Sequence, residues 1–263
     1  MLGIFDSGLG GLTALKEARV LFPGEDIVYF GDTGRVPYGT RSPETIRKYA
    51  VQDLKFLTSF PIRAAVVACG TVSTTSLPLL RSSFSLPIFG VVEGAAEAAA
   101  KATKSGTVAV IGTPATVRSG AFERAVREHG KDLNVISLAC PLFVPLVENG
   151  FVAEDDPITL LTCERYLAPI RESGADTLIL GCTHYPILAR SIAKVLPGVT
   201  LINTGREAAR LVRDRLPAGA GENETGKTLF FVSDRTESFT EVASCFLGSV
   251  PEHVEQIDIE RYQ

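Results

Sequence analysis

The chain has 263 residues, with 45% hydrophobic residues, no tryptophan, and 26 basic residues against 30 acidic for a net charge of −4. A chain of this length buries about 70–75% of its unfolded surface, needs neither disulfide nor metal to fold, and makes one large domain or two modest ones. Its acidic balance argues against binding nucleic acid through bulk charge, and no apolar run approaches the ~20 residues that span a bilayer, so neither partner is expected.

In chain order, the opening residues lack the charged and apolar regions of a secretory signal, so a soluble, cytoplasmic protein is expected. Strand Leu2–Phe5 enters the loop Asp6-Ser7-Gly8-Leu9-Gly10-Gly11-Leu12-Thr13. A dinucleotide fingerprint needs glycine where Thr13 stands, and no Lys-Ser/Thr pair follows the glycines, so both phosphate-loop signatures fail. What remains is a tight strand-to-helix turn, in which Asp6 either caps the helix, the commoner outcome, or serves a site. Strand Ile27–Phe30 precedes the polar loop from Gly31 to Gly39, whose Pro37-Tyr38-Gly39 turn is expected to rim or cover a site. Helix Pro43–Phe60 leads to strand Ala64–Ala68 and to Cys69-Gly70-Thr71. Then come strand Ile88–Val92, helix Glu93–Lys104, strand Val108–Ile111, and a helix Thr116–His129 beyond Thr113. Strand Val135–Ala139 feeds the apolar stretch from Pro141 to Glu148, read as a buried connector with Glu148 reaching toward a cleft. Strand Leu178–Leu180 ends at Gly181-Cys182-Thr183-His184, followed by helix Tyr185–Leu196, strand Leu201–Ile202, helix Arg206–Leu216 and strand Leu229–Val232.

These runs are rich in Val, Ile and Phe with little polar alternation, as in strands covered on both faces. Their alternation with helices predicts an α/β fold with mostly parallel sheets. A coarse repeat also emerges. The strand before Asp6 and the strand before Thr113 lie roughly 106 residues apart, and the strands before Cys69 and Cys182 roughly 113, a period suited to two similar lobes. Each lobe then offers one hydroxyl loop and one cysteine loop at the carboxyl ends of its strands, the edge where open α/β sheets bind ligands.

Five cysteines, at 69, 140, 163, 182 and 245, contain no C-x-x-C, so free thiols are expected, each a buried small hydrophobe by default. Cys69 and Cys182 depart from that default together. Both stand where a strand ends and a helix starts, a setting predicted to lower a thiol pKa from its reference of ~8.5. Two acid–base groups facing across a cleft suit a racemase, which takes a proton from one face of a carbon and returns one to the other. Asp6 beside Cys69 and His184 beside Cys182 are the expected helpers. His129 and His253 read as surface residues, and a zinc site from Cys69, Cys182 and His184 lacks the paired ligand spacing. Ser7, Thr71, Thr113, Thr116 and Thr183 each cap a helix by default; gathered on one edge, they donate hydrogen bonds to a carboxylate substrate.

Five ordered segments carry a family resemblance: Phe5 to Thr13, Gly31-Asp32-Thr33 through Val36-Pro37-Tyr38-Gly39, Ala68-Cys69, Cys140 to Glu148, and Leu178 to Pro186. Together they resemble the glutamate racemases of the aspartate/glutamate racemase superfamily over essentially the whole chain. The resemblance implies a cofactor-independent enzyme, without metal, that interconverts L- and D-glutamate and supplies D-glutamate for peptidoglycan. It implies Cys69 and Cys182 as the catalytic acid/bases, assisted by Asp6 and His184. Ser7, Tyr38, Gly39, Gly70, Thr71, Thr113, Thr116 and Thr183 are implied substrate contacts. It further implies a homodimer of two-lobed subunits, with residues 1–92 and 206–263 in the first lobe and 93–205 in the second. One departure stands out: the family usually reads Cys-Asn-Thr where this chain has Cys69-Gly70-Thr71. Losing a side-chain hydrogen bond to a charged group costs about 1.5–3 kcal/mol. Turnover of a different small acid such as aspartate, the rival substrate, is favoured if Gly70 opens space for another group. Asn203 also stands where the family often has aspartate. The remaining rival is a non-catalytic relative that binds a ligand without exchanging its proton.

Overall fold

The computed structural model describes residues 1–217, 225–234, 239–251 and 253–263; the side chain of Cys245 lies outside the described residues. Among the described residues ten strands form two sheets: β1 Leu2–Asp6, β2 Ile27–Gly31, β3 Ala64–Val67, β4 Ile88–Gly90, β5 Thr107–Gly112, β6 Asn134–Ala139, β7 Thr177–Leu180, β8 Thr200–Asn203, β9 Thr228–Val232 and β10 Val254–Gln256. One sheet has the order β10-β9-β2-β1-β3-β4 and the other β6-β5-β7-β8. Every neighbouring pair is parallel. The repeat is therefore topological: β2-β1-β3-β4 and β6-β5-β7-β8 are the same winding, and β9 and β10 extend the first sheet on its β2 side. In each copy the winding reverses between the two central strands, so the loops after β1 and β3, and those after β5 and β7, diverge around a crevice.

β1 to β4 and β7 are buried at every residue, which is why their sequences show no polar alternation. Several elements differ from the sequence reading. The predicted helix Thr116–His129 is two helices, Pro114–Ser119 and Ala121–His129, because Gly120 adopts the left-handed conformation at φ +62° and ends the first. The predicted strand Ile88–Val92 stops at Gly90, and Val92 already belongs to helix Val92–Ala102. Strand β10 and helix Pro157–Ser173 were not predicted; β10 has three residues, and the helix carries Pro169 in its interior, which hides its period.

Helices Leu12–Leu21, Val92–Ala102 and Thr204–Arg215 pack between the sheets, and one core runs through them from Ile4 and Leu15 to Ala95, Ala208, Val110 and Ile179. Small residues let these helices touch. A Cβ on Gly205 would lie 2.9 Å from the Ala14 backbone, and one on Gly94 would lie 2.7 Å from the Glu207 carbonyl oxygen. The outer face of the first sheet forms a second core, where Phe5, Phe30 and Val67 meet helix Pro43–Leu57, Phe231 and Ile259. Among the described residues no helix is long and apolar enough to cross a membrane.

The loop after β2 is pinned from below. Arg35 bonds Asp32 at 2.7 Å, Asp53 at 2.9 Å and Gln52 at 2.6 Å, and reaches Glu260 near the C-terminus at 3.3 Å. Burial and the neighbouring Asp32 charge push the Asp53 carboxyl well above its ordinary range, opposed by Arg35, which pairs with both carboxylates. Breaking a buried pair by removing one partner costs about 3–5 kcal/mol. Arg35→Met is expected to destabilise the protein by about that amount in urea denaturation.

Candidate active site

Asp6, the last residue of β1, is fully buried; its Oδ2 accepts the Gly8 N–H at 3.0 Å and its Oδ1 accepts the Thr183 hydroxyl at 3.4 Å. The following helix begins at Leu12 behind Gly11, which makes no side-chain cap. Asp6 is thus not the helix cap that the sequence favoured; it braces the glycine loop and reaches across to the other lobe. Burial raises its pKa, opposed by the His184 charge and by N–H groups of Gly11 and Gly8.

Cys69 follows β3 at the N-cap of the short helix Gly70–Thr75, and its thiol lies 3.4 Å from Ser7 Oγ. The expected lowering of its pKa is reversed. Burial, joined by the Asp6 charge, pushes the thiol up to about 12, beyond what the Ser7 hydroxyl and the Val72 N–H recover. A six-residue helix is too short for its dipole to offset complete desolvation. Cys140 and Cys163 are buried thiols likewise pushed up to about 12 by desolvation, as the default reading expects.

Cys182 sits two residues past β7, buried, with Sγ 3.9 Å from His184 Nδ1. The other ring nitrogen of His184 meets Glu148 Oε1 at 3.0 Å, and Phe246 packs edge-on against the ring. Burial alone would depress the imidazole; bonds to Cys182 and Glu148 outweigh it and raise the pKa to about 10. His129 and His253 are exposed, as predicted.

One cavity of about 360 Å³ joins these groups. Ser7, Tyr38, Gly39, Cys69, Gly70, Thr71, Thr113, Cys182, Thr183 and His184 line it; Asp6 and Thr116 do not. Thr116 is 1% exposed and stands behind Thr113, donating its N–H to Thr113 Oγ1 and accepting the Thr113 hydroxyl at 3.0 Å. Thr71 meets Thr113 at 2.9 Å, a hydroxyl pair that spans the two sheets. The Tyr38 hydroxyl is committed to Asp32 and Asp53. Glu148, which the sequence directed toward the cleft, lines it. The rest of its segment is a buried connector only in part: Phe143, Leu146 and Val147 are buried on the helix Phe143–Glu148, whereas Pro141, Leu142 and Pro145 are exposed. Val36 and Pro37, in the loop expected to rim the site, line the cavity as well; Thr40, Pro114, Val144, Pro145 and the Gly181 backbone also line it and were missed. Among the described residues no group of three or more His, Cys, Asp and Glu side chains is arranged to hold a metal ion.

Residues 13–212 match the Asp/Glu/Hydantoin racemase family model. The chain belongs to that family. It is 45% identical to a glutamate racemase of Geobacter metallireducens, over 98% of this chain and 97% of the other. Among solved structures it resembles glutamate racemase from Francisella tularensis in complex with D-glutamate, with TM-score 0.90, 35% identity, and 99% and 98% of the two chains covered. It also resembles the Thermus thermophilus glutamate racemase in complex with beta-chloro-D-alanine, with TM-score 0.88, 43% identity, and 98% and 97% covered. The two-lobed α/β architecture is that of these racemases.

Folded His184 in this racemase-family site keeps its proton up to about pH 10, whereas the ordinary imidazole releases it near 6.5. Its ionic contribution to stability is therefore complete below the ordinary value, shrinks as pH rises, and is lost above the folded one. Glu148→Gln removes the partner. The melting-temperature difference between wild type and Glu148→Gln is expected to be largest near pH 6 and to close by pH 10.

Proposed function

We propose that the protein is a glutamate racemase that interconverts L- and D-glutamate with two thiols and no cofactor. The observation that carries this reading is that Cys69 and Cys182, from equivalent loops of two equivalent sheets, line one small cavity. Full-length likeness to glutamate racemases supports the substrate. The aspartate alternative loses its ground, because the volume beside Gly70 is filled: a Cβ there would lie 2.2 Å from the Gly181 carbonyl oxygen.

In the proposed reaction one cysteine, as thiolate, removes the α-proton, and the other, as thiol, delivers a proton to the opposite face of the carbanion. The first ends as thiol and the second as thiolate, and the roles exchange with direction. Cys69, with its raised pKa, rests as the neutral acid and becomes a strong base once deprotonated. On the other side, the charged His184 donates through Nδ1 toward Cys182 and stabilises the thiolate that the cycle requires there, with Glu148 holding the ring through Nε2. Asp6 braces the Ser7–Gly8 loop beneath Cys69. Ser7, Gly39, Thr71, Thr113, Thr183 and the Tyr38 and Gly70 backbones are proposed to hold the substrate, and Thr116 to act through Thr113. We assign residues 1–92 with 206–263 to one lobe and 93–205 to the other. The family likeness also underlies the proposals of a cytoplasmic homodimer and of D-glutamate destined for peptidoglycan.

Purified protein without added pyridoxal phosphate or metal is expected to wash solvent deuterium into the α-position of glutamate and far more slowly into aspartate. Cys69→Ala and Cys182→Ala are each expected to lower the racemisation kcat by about 10²–10⁴-fold. Wild-type racemisation by either variant rules out the two-thiol mechanism.

A further inference from the structure

The loops after β1, β2 and β3 each meet the second lobe with a glycine. A Cβ on Gly10 would lie 2.2 Å from Thr183 Oγ1 and 2.5 Å from His184 Nδ1, and one on Gly39 would lie 2.9 Å from Thr113 Cβ. One on Gly70 would lie 2.2 Å from the Gly181 carbonyl oxygen. The first two collisions are with side chains. The third is with backbone, and that backbone is held: the Gly181 N–H bonds the Ile111 carbonyl at 2.7 Å, and a Cβ on Gly181 itself would lie 2.7 Å from the same oxygen. The carbonyl has no side chain to rotate out of the way and no slack behind it.

We infer that Gly70 sets how deeply the two lobes close on the ligand, and that in this chain the Gly181 carbonyl occupies the place beside Cys69 where the family resemblance puts an asparagine side chain. Any side chain at 70 drives the cysteine loops apart by about 1 Å, the difference between 2.2 Å and an ordinary carbon–oxygen contact. Both thiols are mounted on those loops, one directly before Gly70 and one directly after Gly181. The spread therefore goes straight into the distance between the acid and the base. This closure rests on the proposed function only in assuming that an amino acid sits between the thiols. It also has a counter-intuitive consequence: installing the family's asparagine impairs this protein.

The test uses Gly70→Ala and Gly70→Asn, with two readouts. Iodoacetamide labelling followed by mass spectrometry measures the reaction rates of Cys69 and Cys182 with and without D-glutamate. Cys163, fully buried in the second lobe outside the cavity, reports in the same digest whether each variant is folded. Both variants are expected to label several-fold faster than wild type at Cys69 and Cys182, with Cys163 unchanged, and to lose protection by D-glutamate. Their kcat is expected to fall by about 10²-fold, since misplacing reacting groups by 1 Å costs on that order. If either variant labels at the wild-type rate, or Gly70→Asn matches or exceeds wild-type kcat, the inference is overturned. Labelling needs no turnover, so absence of racemase activity in wild type would refute the proposed function and leave this arm to decide closure alone. Fast labelling of Cys163 in Gly70→Ala would assign the glycine to folding instead, which also overturns the inference.

Discussion

Desolvation is the constraint on which the site depends. The cavity is small, its walls come from strand ends and short helical turns, and its two thiols and imidazole are buried. Charge in such a place survives only when paired, and the groups here are arranged to that end. Burial and the Asp6 charge keep Cys69 neutral. His184 has Glu148 on one nitrogen and Cys182 on the other, and stays charged. The two thiols, alike in topology, are thereby unlike in electrostatics. A reaction that needs one acid and one base at the same moment is served by that difference.

The opposition of the two sheets is fixed by helix packing, not by the site itself. Alanine and glycine on Leu12–Leu21, Val92–Ala102 and Thr204–Arg215 let three helices approach closely between the sheets, and their core is continuous with both. Across the cleft the contacts are of another kind. They are glycine against backbone or side chain, and hydroxyl against hydroxyl, as in Thr71 with Thr113. Such contacts bury little apolar area and hold the loops by shape and hydrogen bonding, which suits a cleft that must admit a ligand. Beneath one wall, Arg35 ties Asp32 to the C-terminal segment, so the Pro37–Gly39 turn is supported from outside the cavity.

Much of this was legible in the residues. Nine of the ten strands among the described residues follow from apolar runs without polar alternation, because a strand covered on both faces has no solvent side to mark. The pairing of the cysteine loops follows from the repeated order of strands, since a parallel winding puts equivalent strand ends on the same edge. That edge is also why Ser7, Thr71, Thr113 and Thr183 were legible as cavity residues: each stands within a few positions of a strand's carboxyl end.

What the fold alone decided is everything that sums over atoms distant in the chain. Thr113 faces the cavity and Thr116 stands behind it, although both lie in one loop-to-helix turn. The Cys69 thiol is raised where its position at a helix start argued for lowering, because burial and Asp6 act through space and the dipole of one short helix does not match them. Glu148 reaches His184 across 36 residues of sequence. Gly70, which on paper leaves a gap, is filled by a carbonyl from the opposite lobe. Local pattern determines which segments become strands and where their ends lie; desolvation and close approach between lobes depend on who arrives from elsewhere, and no window of sequence contains that.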